Sequence, residues 1–296
     1  MWRVAVLACF VTMVIGGKAP TLDLNDGHKI PVVALGTGRG TAGAAPIDEV
    51  RDAVFWAIEA GYRHIDTAAV YGDEEQVGQG VADAIKKGLV KREELFITTK
   101  RQKNVHLKND DDNEGAMSVP LKSQTVFSIT YMVQIVNRSS RVIFKSKSVK
   151  GSNSSIMFFE CLSQNDHFFQ VNPTLTQEPL VSHCQGLGIA VMAYSPFGFL
   201  VTRKTADAPP PRVDDPTLVR IAQKYGKNTA QIVLRYLVDR GLVPIPKSAN
   251  KERIAQNIDL FDFELTKEEV AEISKFNKNV RVIHPKGWEK FPNYPF

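Results

Sequence analysis

The sequence contains little cysteine and no concentrated block of charge. Three cysteines among 296 residues are too few for a zinc ribbon or a disulfide framework. The net charge of +5 is the balance of 37 basic and 32 acidic residues spread along the chain, so we expect no nucleic-acid partner and favour an anionic small ligand. With 43% hydrophobic residues, the composition is that of a globular protein, and one large domain is expected over residues 20–296.

The first 19 residues have the layout of a secretory signal peptide. A short basic start at Arg3 precedes an apolar run over residues 4–15, and small residues follow where a peptidase would cut. Within this leader, a cut after Gly17 is favoured over one after Ala19 because Pro20 follows. The apolar run is shorter than the about 20 residues of a membrane span, so none is expected. The pattern predicts secretion; the alternative is a buried first strand or a non-functional leader, and a cytoplasmic protein.

Strand and helix patterns alternate in two parts of the chain, with short loops between them. In the first part we predict a hairpin over 21–33, strands over 32–35, 64–67 and 95–99, and helices over 47–60 and 74–87. After residue 172 we predict helices over 178–185, 216–225, 229–239 and 251–258, strands over 189–194 and 242–245, and a last helix opened by a capping box at 265–269. This alternation predicts an α/β fold with a parallel sheet covered by helices.

Residues 101–171 interrupt the alternation. They contain a polar turn over 109–113, a Ser- and Lys-rich stretch over 145–155, and apolar pieces without a clear period. A stretch of this length without elements is unusual inside a compact domain. The chain therefore offers about five predicted strands where a closed eight-stranded barrel would need eight.

Three residues that follow predicted strands form a candidate acid–base group. Asp66 ends one strand, Tyr71 lies in the loop after it, and Lys100 ends the next strand. In a parallel sheet all three emerge at the carboxyl edge, where the active sites of such folds lie. An Asp that holds a Lys beside a phenol would lower the pKa of the phenol, which could then donate a proton to a carbonyl oxygen. The alternative is a strand-end salt bridge with an unrelated surface tyrosine.

A second candidate site follows the last predicted strand. Lys247, Ser248 and Arg253 surround the amino terminus of a predicted helix, where backbone N–H groups and the helix dipole favour a phosphate. The alternative is a capped helix with a solvated basic face.

These segments together resemble the aldo-keto reductase superfamily, and the leader makes the insect 3-dehydroecdysone-type ketosteroid reductases the most similar branch. The resemblance rests on short motifs across residues 20–100 and 172–296. They are Ala34-Leu35-Gly36-Thr37-Gly38, the Asp66/Tyr71 loop, Ile97-Thr98-Thr99-Lys100, Asn172-Pro173-Thr174-Leu175-Thr176-Gln177, Ala193-Tyr194-Ser195-Pro196-Phe197-Gly198, and Lys247-Ser248 with Arg253 and Asn257.

The resemblance implies a (β/α)8 TIM barrel and NADPH-dependent reduction of an aldehyde or ketone. Tyr71 would be the general acid, tuned by Lys100 and Asp66. The residues implied in cofactor binding are Gly36, Thr37 and Asp66 at the nicotinamide ribose, Tyr194 on the nicotinamide, Ser195 and Phe197 at the pyrophosphate, Lys247, Ser248 and Arg253 at the 2′-phosphate, and Asn257 near the adenine. The partner implied is a small-molecule carbonyl substrate, no metal is implied, and a monomer is expected.

The middle of the chain departs from the family pattern. No His-Trp-Pro-like stretch lies between Lys100 and Asn172, and neither His106 nor His167 stands in such a context. The Ser-Asn pair and the sixth-strand glutamine of the family are also missing, with Gln170-Val171-Asn172 as a remnant. We therefore expect a barrel that is incomplete or distorted around strands 4–6, with impaired catalysis. The alternative function is that of an inactive secreted protein that binds NADP or an apolar ligand.

Overall fold

A computed structural model describes residues 19–24, 28–38, 46–100, 170–201 and 208–283. The predictions for the leader, for the turn at residues 25–27, for the interval 101–169 and for the tail beyond residue 283 therefore fall wholly or mostly outside the described residues. Among the residues described, no helix is both long enough and apolar enough to cross a membrane.

The strands form a hairpin and two parallel sheets. β1 (Thr21–Asp23) pairs antiparallel with β2 (Lys29–Pro31), which confirms the predicted hairpin. In the first parallel sheet β4 (His64–Asp66) lies between β3 (Leu35–Gly36) and β5 (Phe96–Thr98). In the second, β6 (Val191–Tyr194) pairs with β7 (Leu242–Ile245). The predicted parallel arrangement is thus confirmed in both parts of the chain.

Backbone hydrogen bonds join the two parallel sheets into one arc. The N–H groups of Ala34 and Gly36 donate to the carbonyl oxygens of Pro244 and Pro246 at 3.1 and 2.9 Å. Gly36 fits because a Cβ there would lie 3.0 Å from the Ile245 side chain. The strand order is therefore β5-β4-β3-β7-β6, and a parallel bridge from Gln170 to Tyr194 extends the arc beyond β6.

Seven α-helices connect or follow these strands within the described residues. They are α1 (Glu49–Ala60), α2 (Glu74–Lys86), α3 (Glu178–Gly186), α4 (Pro216–Tyr225), α5 (Thr229–Asp239), α6 (Lys251–Ile258) and α7 (Lys267–Ser274). Side-chain caps fix several starts: Asn228, Asn250 and Thr266 each accept a hydrogen bond from a backbone N–H of the first turn. The capping box predicted for the last helix is formed by Thr266 and Glu269.

The start of the first helix was predicted two residues too early. The first helix was predicted over 47–60, but α1 begins at Glu49 and Ile47 is 91% exposed. The physical reason is Asp48, which has a φ of 68° and so interrupts the helical backbone before its first turn.

Two hydrophobic cores lie between the strands and the helices. In one, Leu35, Ile65 and Ile97 of the first sheet pack with apolar residues of α1 and α2. In the other, Val191 and Leu242 of the second sheet pack with apolar residues of α3, α4 and α5. The helices thus cover the strands, and the carboxyl ends of the parallel strands share one edge of the arc.

Candidate active site

Asp66 is the centre of a buried polar cluster at the end of β4. Its Oδ2 accepts a hydrogen bond from Lys100 Nζ at 2.6 Å, and its Oδ1 accepts one from Thr98 Oγ1 at 2.6 Å. Lys100 also donates to the backbone oxygen of Thr67 at 3.0 Å. The side chain of Asp66 is only 6% exposed, so loss of either partner would leave a buried charge without its compensation. The structure brings Asp66 and Lys100 together as predicted.

Tyr71 lies directly against this ion pair. It ends a short 3₁₀ turn, Ala69–Tyr71, and the Nζ atom of Lys100 lies 5.6 Å from the centroid of its ring. Gly38 permits this position, because a Cβ at Gly38 would lie 2.8 Å from Cζ and 3.1 Å from the hydroxyl oxygen of Tyr71. The three residues predicted as an acid–base group are therefore neighbours.

The direction predicted for the pKa of Tyr71 is wrong. Burial raises this pKa above its ordinary value, and the negative charges of Asp66 and Asp73 raise it further. The physical reason is that the phenolate would lose hydration and would face two carboxylates. Tyr71 is therefore protonated at neutral pH, which is the state that a proton donor requires.

A buried histidine lies behind the cluster. The Nε2 atom of His64 is 3.4 Å from Thr98 Oγ1, and its Nδ1 atom is 3.2 Å from the backbone oxygen of Pro31. Burial lowers the pKa of His64 to about 4, so the ring is neutral at pH 7. Thr98 thus stands between a neutral imidazole and the carboxylate of Asp66.

Tyr194 lies at the end of β6, on the same edge of the arc. Burial raises the pKa of Tyr194, the positive charge of Arg281 lowers it, and a negative charge on Tyr71 would raise it. The two tyrosines are therefore close enough to interact electrostatically. The next residue, Ser195, has a φ of 48°, a left-handed conformation that non-glycine residues rarely adopt. The chain therefore turns sharply immediately after Tyr194.

Asn172 holds the turn that follows Tyr194. Its Nδ2 donates to the backbone oxygen of Ser195 at 3.3 Å, while its Oδ1 accepts from the Oγ1 of Thr174 at 2.7 Å. A Cβ at Gly198 would lie 2.8 Å from that same Oδ1, so the turn packs closely on the amide. Phe197 lies within this turn, half-buried and in contact with both cores.

The second predicted site surrounds the start of α6. Ser248 is buried, and its Oγ accepts a hydrogen bond from the N–H of Asn250 at 3.1 Å. The neighbouring Lys247 is exposed, and its Nζ lies 3.4 Å from a carboxylate oxygen of Glu49. A small open cleft lies between α1 and the β7–α6 loop, and its lining includes Thr37, Glu49, Lys247 and Ser248.

The other two residues predicted at this site lie one turn apart on α6. Arg253 is exposed, and Asn257 is buried at 6% exposure. The bridge from Gly36 to Lys247 connects the loop to β3, so the second site adjoins the first on the same edge.

Sequence reasoning missed three contributors to these sites. Thr98 is the register partner of Asp66 across the β4–β5 pair, which the sequence does not encode locally. Glu49 is 198 positions away from its partner Lys247. Gly38 was read only as part of a strand-ending motif, and its contact with Tyr71 depends on the fold.

Comparisons with known proteins give consistent results. Residues 32–140 and 165–278 match the profile of the Aldo/keto reductase family. This match includes residues 101–140, where the motif comparison found no resemblance. Aldo-keto reductase AKR2E4 of Bombyx mori is 54% identical in an alignment of 306 positions, gaps included, that covers 94% of this chain and 99% of that protein.

Two further comparisons extend this result. The crystal structure of Bombyx mori AKR2E4 in complex with NADP has a TM-score of 0.74 and 50% identity, and the match covers 94% of this chain and 99% of that one. An NAD(P)H-dependent D-xylose reductase of Candida tropicalis is 32% identical over 92% of this chain and 97% of its own length. The likeness implies the (β/α)8 architecture of these relatives, to which the parallel arc and its helices correspond. The chain belongs to the aldo/keto reductase family.

Proposed function

We propose that the protein is an NADPH-dependent reductase that converts an aldehyde or a ketone to the alcohol, with Tyr71 as the proton donor. The observation that carries this proposal is the buried Asp66–Lys100 ion pair at 2.6 Å directly beside the ring of Tyr71. A strand-end salt bridge alone would not require a tyrosine held against it by a glycine contact. Family membership supports the same reaction class.

The residues present fit a phosphorylated dinucleotide. Lys247 and Ser248 offer a cation and a hydroxyl for the 2′-phosphate, and Arg253 adds a second cation in the first turn of α6. The hydroxyl of Thr37 and both side-chain amide atoms of Gln170 are buried and have no hydrogen-bond partner among the residues that the structure describes. Buried polar groups of this kind need a partner, and a cofactor with ribose hydroxyls and a carboxamide supplies donors and acceptors for them. NADP and NADPH are bound in two similar solved structures.

The chemistry of the chain's own residues follows from their positions. NADPH supplies the hydride when it is bound. The hydroxyl of Tyr71 donates its proton to the carbonyl oxygen as the carbonyl carbon accepts the hydride, and the phenolate then recovers a proton from solvent. The ammonium of Lys100 stabilises that phenolate, and Asp66 holds the ammonium in place. The raised pKa of Tyr71 makes the phenol a weaker acid, and the positive charge of Lys100, 5.6 Å from the ring centroid, favours the phenolate that proton donation leaves.

We propose an apolar ketone, with ketosteroids among the candidates, as the substrate. Val70 precedes Tyr71 and is 79% exposed, so it offers an apolar surface next to the proposed proton donor. We further propose that turnover is lowered, because no His-Trp-Pro-like stretch occurs between Lys100 and Asn172. Removal of one oriented hydrogen-bond donor typically costs about 10²–10³-fold in rate.

The same missing histidine favours a second candidate, a secreted protein that binds NADP or an apolar ligand without turnover. The two functions differ in one experiment. Purified protein is titrated with NADPH, with NADH as the comparison, by quenching of tryptophan fluorescence, and is then assayed on a panel of aldehydes and ketones. A reductase binds NADPH and oxidises it with a carbonyl substrate, and Tyr71→Phe abolishes the turnover.

Tyr225→Phe is the control for this experiment, since Tyr225 bonds to Glu269 on α7, away from the strand edge, and its loss should leave turnover unchanged. Saturable NADPH binding without turnover by any panel member would support the binding protein instead. No binding of NADPH by folded protein would refute the reductase and the NADP-binding protein, and would leave only the protein that binds an apolar ligand.

A further inference from the structure

The cleft proposed for the 2′-phosphate contains a carboxylate of its own. Glu49, in the first turn of α1, lines this cleft together with Lys247 and Ser248. Its Oε1 lies 3.4 Å from Lys247 Nζ, and the two side chains are 24% and 35% exposed. The cation proposed to recognise the phosphate is therefore already paired when the cofactor is absent.

The backbone of Glu49 stays within side-chain reach of Lys247, because the start of α1 is fixed. The N–H of Val50 donates to the Oε1 of Gln76 at 3.0 Å, and the side chain of Val50 is buried in the core. Ala53, one turn further, is buried in the same core. A ligand in the cleft would therefore find the carboxylate of Glu49 close by even after the ion pair with Lys247 has opened.

We propose that Glu49 is a specificity-determining residue that lowers the preference of this site for a 2′-phosphorylated cofactor over an unphosphorylated one. This inference rests on the proposed function. The carboxylate competes with the 2′-phosphate for Lys247 and repels its negative charge. Towards a 2′-hydroxyl the same carboxylate acts in the opposite way, since it can accept a hydrogen bond from the ribose.

The size of the effect follows from the exposure of the pair. A partly exposed ion pair opens at modest cost, so its removal should tighten binding of a 2′-phosphate by about two- to fivefold at low ionic strength. The effect should shrink as salt increases, because charges near the surface are screened. The unphosphorylated ligand should bind equally well or more weakly after the same change.

The test compares 2′,5′-ADP with 5′-ADP by isothermal titration calorimetry, so that it does not depend on turnover. Glu49→Gln keeps the shape of the side chain and removes its charge. Glu272→Gln is the control: it removes the same charge from an ion pair between α7 and α4, where Glu272 bonds to Arg220 away from the start of α6. Thermal melts of both variants check that each remains folded.

The expected result is that Glu49→Gln raises the preference for 2′,5′-ADP over 5′-ADP by about two- to fivefold, and that Glu272→Gln does not. An unchanged preference in Glu49→Gln would overturn the inference. The proposed function would still stand in that case, provided that the wild-type protein binds 2′,5′-ADP. An equal change in both variants would also overturn it, since the effect would then belong to net charge alone. If the folded wild-type protein binds neither ligand, the proposed function fails and this inference fails with it.

Discussion

Replacement of Thr98 by valine should separate the positioning of the acid–base cluster from its chemistry. Thr98 is 1% exposed and its hydroxyl donates to Asp66 Oδ1 at 2.6 Å, on the opposite carboxylate oxygen from Lys100. Valine has nearly the same shape, so the change removes one hydrogen bond and leaves the packing in place. Asp66 would then be free to rotate, and with it the ammonium that lies beside Tyr71.

The magnitude can be derived from the type of bond. A hydrogen bond to a charged group contributes about 1.5–3 kcal/mol, and its loss here leaves a buried carboxylate oxygen with one fewer partner. If this energy is expressed mainly in the transition state, kcat falls about ten- to hundredfold, since 1.36 kcal/mol corresponds to a factor of ten. Affinity for NADPH should change by less than about threefold, because the cleft at α6 is formed by other residues.

The assay is steady-state reduction of a panel ketone, combined with NADPH titration and thermal unfolding. Thr98→Ser should restore most of the rate, because it returns the hydroxyl. Thr99→Val is the matched control: the hydroxyl of Thr99 donates to Glu74 at 2.7 Å, so its loss affects stability but not Asp66. Equal losses of kcat in Thr98→Val and Thr99→Val would refute the positioning role.

Three further predictions concern the surroundings of the site. The pKa of His64 is about 4 in the folded state against 6.5 in the unfolded state, so the free energy of unfolding is highest above pH 6.5 and falls as the pH drops towards 4. Urea titrations should show that it falls by about 3 kcal/mol over this range, and His64→Gln should abolish this part of the pH dependence. Gly38→Ala should displace Tyr71 and lower kcat at least tenfold with NADPH affinity retained, since the new Cβ would lie 2.8 Å from the ring; an unchanged kcat would contradict the contact. Gly80→Ala should destabilise the protein by at least about 2 kcal/mol in thermal melts, because the new Cβ would lie 2.5 Å from a backbone oxygen of α1. Gly186→Ala is the control: its Cβ would have no heavy atom within 4 Å, so this change should be neutral or stabilising.

The parts of the fold that sequence predicted well are those whose boundaries are encoded locally. Three helices, Pro216–Tyr225, Thr229–Asp239 and Lys251–Ile258, have the bounds that were predicted. Each begins at a side-chain cap, and the first is followed by Gly226 at a φ of 63°, so the start and stop signals lie within a few residues. Ile47 was placed wrongly because periodicity cannot show that the next residue leaves the helical region.

The candidate site was predictable as a set of residues but not as an electrostatic environment. Motif and strand order were enough to bring Asp66, Tyr71 and Lys100 to one edge. The pKa of Tyr71 was predicted in the wrong direction because burial and the second carboxylate, Asp73, depend on tertiary packing. Thr98 was missed for the same reason, since only the strand register sets it beside Asp66.

The two ion pairs at this edge differ in burial, and this difference decides how easily each pair opens. The Asp66–Lys100 pair has side chains 6% and 23% exposed, and a Thr98 bond satisfies the carboxylate, so separation of the two charges would be costly and the pair behaves as one rigid unit. The Glu49–Lys247 pair is more exposed and longer, at 3.4 Å, so water and an incoming phosphate can replace the carboxylate with little cost. The first pair therefore suits a fixed catalytic support, and the second suits a site whose cation must change partners each time a ligand binds. If this distinction is correct, added salt should weaken the discrimination between 2′,5′-ADP and 5′-ADP while leaving kcat at saturating cofactor almost unchanged.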